Sequence, residues 1–538
     1  MTGCGKDSLW DNMSRQKKNG LLALIYIGTL LICFGIVLVI GRLHSPAPGG
    51  KEPSGSLLEE ATESQAETPE REETEKAEDK AEEDEEFGNG EEFADKRAET
   101  VSKPVMSFPE EEEDQPEAYK PPVIAVITDV HYLSPSLTDY GEAFETMLKK
   151  DDGKLVHYIP QLMDAFTADM ERLNPSAVVL SGDLTLNGEM ESHEALAEKL
   201  KILEEKGVKV LVIPGNHDIN NYAAASYFGE EKGEAEMTGP EDFYEIYRQF
   251  GYDQARSLDE ASLSYVYELD EKNWLLMLDS AQYEPVNKVG GRIREETLAW
   301  MKEQLEEADR EGASLIPIAH HNLLKESILY PVDCTLENSR DVAELLESYQ
   351  VPLYISGHLH LRRTKRNKLS PGENESAFRI SEVVADAFPI APCRYGVLKW
   401  TENGSLAYET RETDVEGWAR QQGILDENLL SFQEYASGFL KEVVSSQIYD
   451  QLRNLPEEQM EKMAGLYGDL NRDYCAGIPV DAKAVRSEEA FRLWQRNLPD
   501  SQLFTQIDEI LRDTGRDHNE WEYEPSLQDI SHRDIMVK

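Results

Sequence analysis

Five short polar motifs stand at the downstream ends of apolar runs, and they restrict this chain more than any other feature. They are Asp129-Val130-His131, Gly182-Asp183, Gly215-Asn216-His217-Asp218, Ala319-His320-His321 and Gly357-His358-Leu359-His360. The runs before them read VIAVIT, AVVLS, VLVIP, LIPI and LYIS. Each is short, rich in β-branched residues and bounded by turn residues, the pattern of a buried strand. Helices are predicted at 155–173, 190–206, 295–309 and 338–349. Strands and helices therefore alternate, and the fold class is α/β. Open α/β sheets place their sites where strands end. Aspartate, histidine and asparagine supply the oxygen and imidazole ligands that suit divalent first-row metals. The pattern predicts a two-metal hydrolase.

The chemistry explains the residue types. Hydrolysis of a phosphate ester near neutral pH needs a nucleophile stronger than water and a sink for charge on the phosphoryl oxygens. Two cations roughly 3.5–4 Å apart supply both, and a carboxylate between them offsets their repulsion. Taken singly, each motif has a plainer reading: Asp129-x-His131 as a capped turn, Gly182-Asp183 as a turn pair. His320 and His321 are adjacent and point different ways, so at most one is expected to ligate. His358 and His360 fall on one side of an extended segment, which suits two neighbouring ions. Order, completeness and shared placement at strand ends carry the reading.

The ordered set D-x-H, G-D, G-N-H-D, H-H, G-H-x-H resembles the calcineurin-like metallophosphoesterases over roughly residues 122–410, with no ligand replaced. The resemblance implies a two-sheet αββα sandwich and two divalent metal ions (Mn, Fe or Zn). It implies that Asp129, His131 and His360 hold the first metal, that Asp183 bridges both, and that Asn216, His320 and His358 hold the second. A bridging hydroxide would then attack the phosphorus. His217 would face the substrate phosphate, and Asp218 would orient its imidazole. His321 is expected behind the ligands or as a satisfied polar group. Gly290-Gly291-Arg292-Ile293, followed by Leu298-Ala299-Trp300, resembles the family's cyclic-nucleotide phosphodiesterase-like branch. There Asp279 would support the site and Arg292 would face a phosphate, although a solvated arginine is the commoner state. The helical stretch beyond the core is similar to that of bacterial cyclic-nucleotide phosphodiesterases with a C-terminal domain.

Two long segments interrupt the core, 132–154 and 219–250. Long loops at this edge set specificity. Tyr132, Tyr222 and Tyr283 are candidates to stack on a base or sugar, with ordinary packing as the alternative for each. His157 and His193 are expected to be surface or packing residues.

The formal charge is −51 over 538 residues, unevenly spread. Residues 51–120 hold 26 Asp and Glu against 8 Lys and Arg, a net −18. Such a stretch cannot bury enough apolar surface to offset its ordering entropy and reads as a disordered linker. The acidic remainder argues against a nucleic-acid polymer as partner, because phosphate contacts need Lys and Arg. A small phosphorylated substrate is compatible, since bound cations reverse the local field. Residues 20–41 form an uncharged apolar stretch long enough to span a membrane. Lys6, Arg15, Lys17 and Lys18 precede it, which places the N-terminus in the cytoplasm and the rest of the chain outside; a cleaved signal peptide is the alternative. Cys334, Cys393 and Cys475 show no metal spacing or dense framework, and buried free thiols are expected.

The predicted organisation is a cytoplasmic tail (1–19), an anchor (20–41), an acidic linker (42–120), a catalytic domain (121–412), a small helical domain (413–525) and a tail (526–538). The expected activity is that of a membrane-anchored, extracytoplasmic phosphodiesterase. A phosphomonoesterase or nucleotidase, and a non-catalytic binding protein of the cell envelope, are the alternatives.

Overall fold

Short apolar segments, the central ones buried along nearly their whole length, give this molecule two sheets, seen in a computed structural model that describes residues 119–525 apart from 328, 330, 331 and 369–377. The expected tail, anchor and terminal segment fall outside the described residues, as does the linker up to residue 118. Among the described residues no helix is long and apolar enough to cross a membrane. In chain order the strands are β1 (Val123–Ile127), β2 (Ala177–Ser181), β3 (Lys209–Ile213), β4 (Ala225–Phe228), β5 (Glu231–Glu234), β6 (Ser257–Leu258), β7 (Tyr265–Asp270) and β8 (Asn273–Leu278). They continue with β9 (Ser314–Ala319), β10 (Leu353–Ser356), β11 (Arg363–Arg366), β12 (Ser381–Val384), β13 (Arg394–Trp400), β14 (Leu406–Glu412) and β15 (Glu520–Tyr523). One sheet runs β15-β14-β13-β1-β2-β3 and the other β11-β12-β10-β9-β8-β7-β6, with β4 and β5 as a separate hairpin.

Strand β8 shows why the sheets stack. Leu275 and Met277 enter the core shared with β1, β2 and β3. Trp274, Leu276 and Leu278 point the other way and pack with Met301, Leu305, Val342 and Leu346 of the helices Glu295–Glu311 and Ser339–Ser348. Both faces are buried, so the strand reads as a continuous apolar run. The mixed α/β architecture agrees with the sequence. β1, β2 and β3 pair in parallel, as do β8, β9 and β10. Parallel pairing aligns strand ends, which collects the polar motifs on one edge.

Local differences from expectation have simple causes. The predicted helix at 155–173 begins at Ile159, after a 3-10 turn at Val156–Tyr158. The two long segments are structured: 132–154 contains the helix Glu142–Lys150, and 219–250 contains β4, β5 and the helix Pro240–Tyr247. They share a small apolar cluster that includes Leu137, Phe144, Leu148 and Tyr227. The Gly229 amide donates to the Asp139 carboxylate at 2.9 Å, tying one to the other.

Beyond Val415 the chain is mainly helical, as predicted. Asp414, Asp426, Asp481 and Ser501 cap helix starts with their side chains, satisfying amides that a helix leaves free. Met463, Leu470, Trp494 and Ile507 form a core there that also takes in Leu359, Leu361 and Val384 from the sheet domain. One correction applies. The predicted helical domain ends in a strand, because Glu-Trp-Glu-Tyr alternates with period two and pairs antiparallel with β14. β11 reads RTKR and gave no apolar signal, yet it forms the edge of the second sheet against β12. Cys334 and Cys393 are buried thiols outside any disulfide.

Candidate metal centre

Three of the five strand ends, those of β1, β2 and β10, turn sharply to aim their side chains. Asp129, His131, Asp183, His358 and His360 all hold positive φ, between 46° and 70°. L-residues rarely adopt this region, at roughly 1–3 kcal/mol each, and such residues cluster at functional sites. The glycines in the motifs provide room. A Cβ on Gly215 would lie 2.3 Å from the Asp183 amide nitrogen, and one on Gly357 would lie 2.0 Å from Thr128 Oγ1.

The side chains converge as two overlapping groups. In the first, His131 Nε2 is 3.1 Å from His360 Nε2, and His360 Nε2 is 3.3 Å from Asp129 Oδ1. In the second, His320 Nε2 is 3.2 Å from Asn216 Oδ1 and 3.3 Å from His358 Nδ1. Asp183 Oδ2 belongs to both, 3.2 Å from His320 Nε2 and 4.0 Å from His131 Nε2. The structure therefore brings all seven sequence-predicted ligands together, with Asp183 between the groups.

The opposite nitrogens of three imidazoles are anchored. His320 Nδ1 meets the Ser181 carbonyl at 3.0 Å, His358 Nε2 the Asp333 carbonyl at 3.0 Å, and His360 Nδ1 the Asp152 carboxylate at 2.5 Å. A proton held on each anchored nitrogen leaves the inward nitrogen's lone pair free, the tautomer that a metal needs. Asp129 Oδ1 is buried with no hydrogen-bond donor. Without a metal, the carboxylate field draws a second proton onto two of these rings, a charge that a bound cation would displace. Burial opposes charge on His320, but Asp183 and Asp129 outweigh it and raise that imidazole to about 9. Burial likewise opposes charge on His360, and Asp152 with Asp129 raises it to about 10. Crowded inward lone pairs, an orphaned carboxylate oxygen and mixed N/O donors fit two divalent first-row cations.

His321 takes no part. Its Nδ1 meets Ser280 Oγ at 2.8 Å and its Nε2 the Val289 carbonyl at 2.9 Å, so both nitrogens are engaged although the ring lies beside His358. His217 sits 4.9 Å from the His131 ring, centroid to centroid. Its amide donates to Asp183 Oδ1 at 2.8 Å, and its Nδ1 meets the Leu186 carbonyl at 2.8 Å.

The expected Asp218–His217 contact is corrected. The Asp218 carboxylate accepts from the amides of Leu184, Thr185 and Gly215. Those donors lie on the two loops that carry Asp183 and Asn216, so Asp218 ties the loops together, and Leu186 orients His217 instead. Asp279 is also occupied elsewhere, by the amides of Leu263 and Ala281 and the Tyr283 hydroxyl.

The substrate-contact expectations divide. Tyr132 is 2% exposed within the main core and has no open face to offer. Tyr283 is buried with its ring under Arg294. Arg292 lies between Glu295 and Glu337, a surface ion pair rather than a phosphate contact. Tyr222 is 77% exposed. His157 and His193 are packing residues; His193, fully buried, meets the Tyr247 hydroxyl and the Asp218 carbonyl. Sequence reasoning missed Asp152, which lies in an inserted segment with no motif around it.

Residues 122–362 match the family described as calcineurin-like phosphoesterase, and residues 414–517 match the C-terminal domain of cyclic nucleotide phosphodiesterase. Over 245 residues the chain is 28% identical to a probable glycerophosphodiester phosphodiesterase of Arcobacter nitrofigilis, covering 44% of this chain and 77% of that protein. Among solved structures, a dimetal phosphatase from Danio rerio aligns with a TM-score of 0.38 at 14% identity, covering 55% of this chain and 97% of that one. A purple acid phosphatase from Lupinus luteus seeds aligns with a TM-score of 0.35 at 15% identity, covering 54% and 51%. Motif order, converging donors and the matches at 122–362 and 414–517 agree: residues 122–362 are similar to the calcineurin-like phosphoesterases, and the chain is a metal-dependent phosphoric ester hydrolase.

Proposed function

We propose that this chain is a phosphodiesterase for a small substrate such as a glycerophosphodiester or cyclic nucleotide, tethered by residues 20–41 with its catalytic domain outside the cytoplasm. The observation that carries the diester reading is the pairing of two similarities in one chain. Over 245 residues the chain is similar to a probable glycerophosphodiester phosphodiesterase, and residues 414–517 match the C-terminal domain of cyclic nucleotide phosphodiesterase. The tether rests on the uncharged stretch 20–41 and the basic residues before it.

Asp129, His131, Asp183 and His360 would hold one metal, and Asp183, Asn216, His320 and His358 the other. Bound there, two divalent cations supply charge to the phosphoryl oxygens and lower the pKa of the attacking water. The chain's own groups do the rest. His217 Nδ1 holds its proton against Leu186, so Nε2 is the nitrogen that carries a second proton to the departing alkoxide. Burial presses the His217 imidazole below its ordinary value, with Asp183 opposing. A phosphate anion beside it favours the protonated form, so the acid forms when substrate arrives. Asp218 keeps the Asp183 and Asn216 loops in register.

The test compares turnover of bis(p-nitrophenyl) phosphate and p-nitrophenyl phosphate by the Mn²⁺-loaded protein, with Asp183→Ala as control. Preference for the diester, lost in the variant, is expected. Preference for the monoester would replace this reading with a phosphomonoesterase. Protease added to intact cells should cleave the catalytic domain; full protection would reject the topology.

A further inference from the structure

The segment Asp151-Asp152-Gly153-Lys154 joins the metal centre to the helical domain. Asp152 Oδ2 lies 2.5 Å from His360 Nδ1. On its other side Asp152 Oδ1 is 2.9 Å from Lys154 Nζ, which is also 2.9 Å from Asp151 Oδ1. Lys154 is only 6% exposed. A buried cation between two carboxylates is costly to desolvate and is weak evidence for a purely stabilising role. Its geometry does fix the Asp152 carboxylate against rotation.

The helix Phe432–Leu452 grips the same segment from outside. Gln447 Nε2 donates to the Asp151 carbonyl at 2.7 Å. Gly153 has φ +94°, and a Cβ there would lie 2.4 Å from Leu440 Cδ1, so helix and backbone touch directly. Just downstream, His157 Nε2 meets the Tyr435 hydroxyl at 2.7 Å. Asp152 is 208 residues from His360 in sequence. Its position therefore depends on tertiary packing, and much of that packing comes from one helix.

We infer that Asp152 is a positioning residue for His360, and that the helical domain sets the first metal's affinity by holding Asp152 in place. A carboxylate on the outer nitrogen of a metal-binding imidazole fixes its tautomer and orientation and raises its basicity, and its loss costs roughly 10- to 100-fold in metal affinity. Gln447 and Leu440 touch none of the ligands, yet they hold the backbone from which Asp152 reaches one. The inference rests on the ligand assignment of the proposed function.

The full-length protein, stripped with chelator, would be titrated with Mn²⁺ by calorimetry, and bound metal counted by mass spectrometry. Asp152→Ala should weaken one of two sites by roughly 10- to 100-fold while the metal-free melting temperature stays near wild type. Asp152→Asn, which keeps an acceptor oxygen, should recover part of the loss. Gln447→Ala should shift the same site in the same direction by less. Wild-type Mn²⁺ affinity in both Asp152 variants would overturn the inference. So would an affinity loss that tracks only a fall in melting temperature and is not rescued by asparagine. If Asp152→Ala does not fold, Asp152→Asn and Gln447→Ala decide. Asp183→Ala separates the two levels: retention of both ions there rejects the ligand assignment itself, whereas loss there with no change at Asp152 rejects only the positioning role.

Discussion

Between Asp129 and His360, five residues of the metal-binding edge hold left-handed backbone, whereas no non-glycine residue described after Cys393 does. The edge buries carboxylates among imidazoles and leaves Asp129 Oδ1 without a donor. The helices after Val415 follow ordinary local rules, with side-chain caps at Asp414, Asp426, Asp481 and Ser501 and apolar stripes facing one core. Native chains keep strain and unmet polar groups where function needs them. The contrast teaches that the edge is held by the surrounding sheets and would recover stability when cations bind, while the helices are held by their own caps and by a core shared with Leu359, Leu361 and Val384 of the sheet domain.

The sharpest way to break this comparison is to remove the shared ligand. Asp183→Ala should lower turnover by roughly 10³-fold or more and reduce bound metal, and chelation should then lower the melting temperature less than in wild type. An unchanged metal count would mean that the edge is strained for another reason. Next in size, His217→Ala should cost about 10²- to 10⁴-fold in turnover with both ions retained, which separates proton handling from metal binding.

On the other side of the comparison, Trp494→Ala should cost about 3–5 kcal/mol of stability, read by denaturant unfolding, with metal per folded chain unchanged. His193, behind the edge, adds a pH signature. Burial holds its imidazole down to about 4 in the folded protein, against about 6.5 unfolded. Its neutral form is therefore favoured by folding. The stability it contributes is complete above pH 6.5 and is lost as pH falls toward 4, up to about 3 kcal/mol. His193→Gln should flatten that part of the pH–stability curve; an unchanged slope would assign the acid sensitivity to other groups. Smallest, Ser501→Ala should cost about 1 kcal/mol by loss of a helix cap and leave turnover untouched. A measurable activity change there would show the two regions to be more tightly coupled than the Asp152 link alone.

The metal edge was readable because strand ends carry their ligands next to an apolar signal in the sequence. VIAVIT before Asp129 and LYIS before Gly357 mark both the strand and the turn. What escaped reading depends on distance in the chain or on cancelled signals. Asp152 meets His360 only through folding, and nothing in its neighbours marks it. Asp218 sits beside His217 in sequence, yet the turn directs its carboxylate to the amides of Leu184 and Thr185. β11 gives no apolar signal because three of its four residues are charged; Arg363 is buried over the Tyr474 ring, while Arg366 faces solvent. The exposure of Tyr222 and the burial of Tyr132 follow from loop packing that composition does not encode.

The pairing of β1 with β13 has a consequence for how the chain comes into being. Val123 lies opposite Lys399, and beyond β13 and β14 the sheet takes in β15, whose Tyr523 faces Leu406. A ribosome delivers β1 first, with β2 soon after, but its other neighbour emerges only when almost the entire catalytic region has been made. Long-range pairing of this kind is slow to nucleate and exposes open strand edges meanwhile. The emerging polypeptide therefore needs protection from its own kind until β15 has been synthesised, and a nonsense codon placed after β14 should yield an aggregation-prone product rather than a smaller working enzyme.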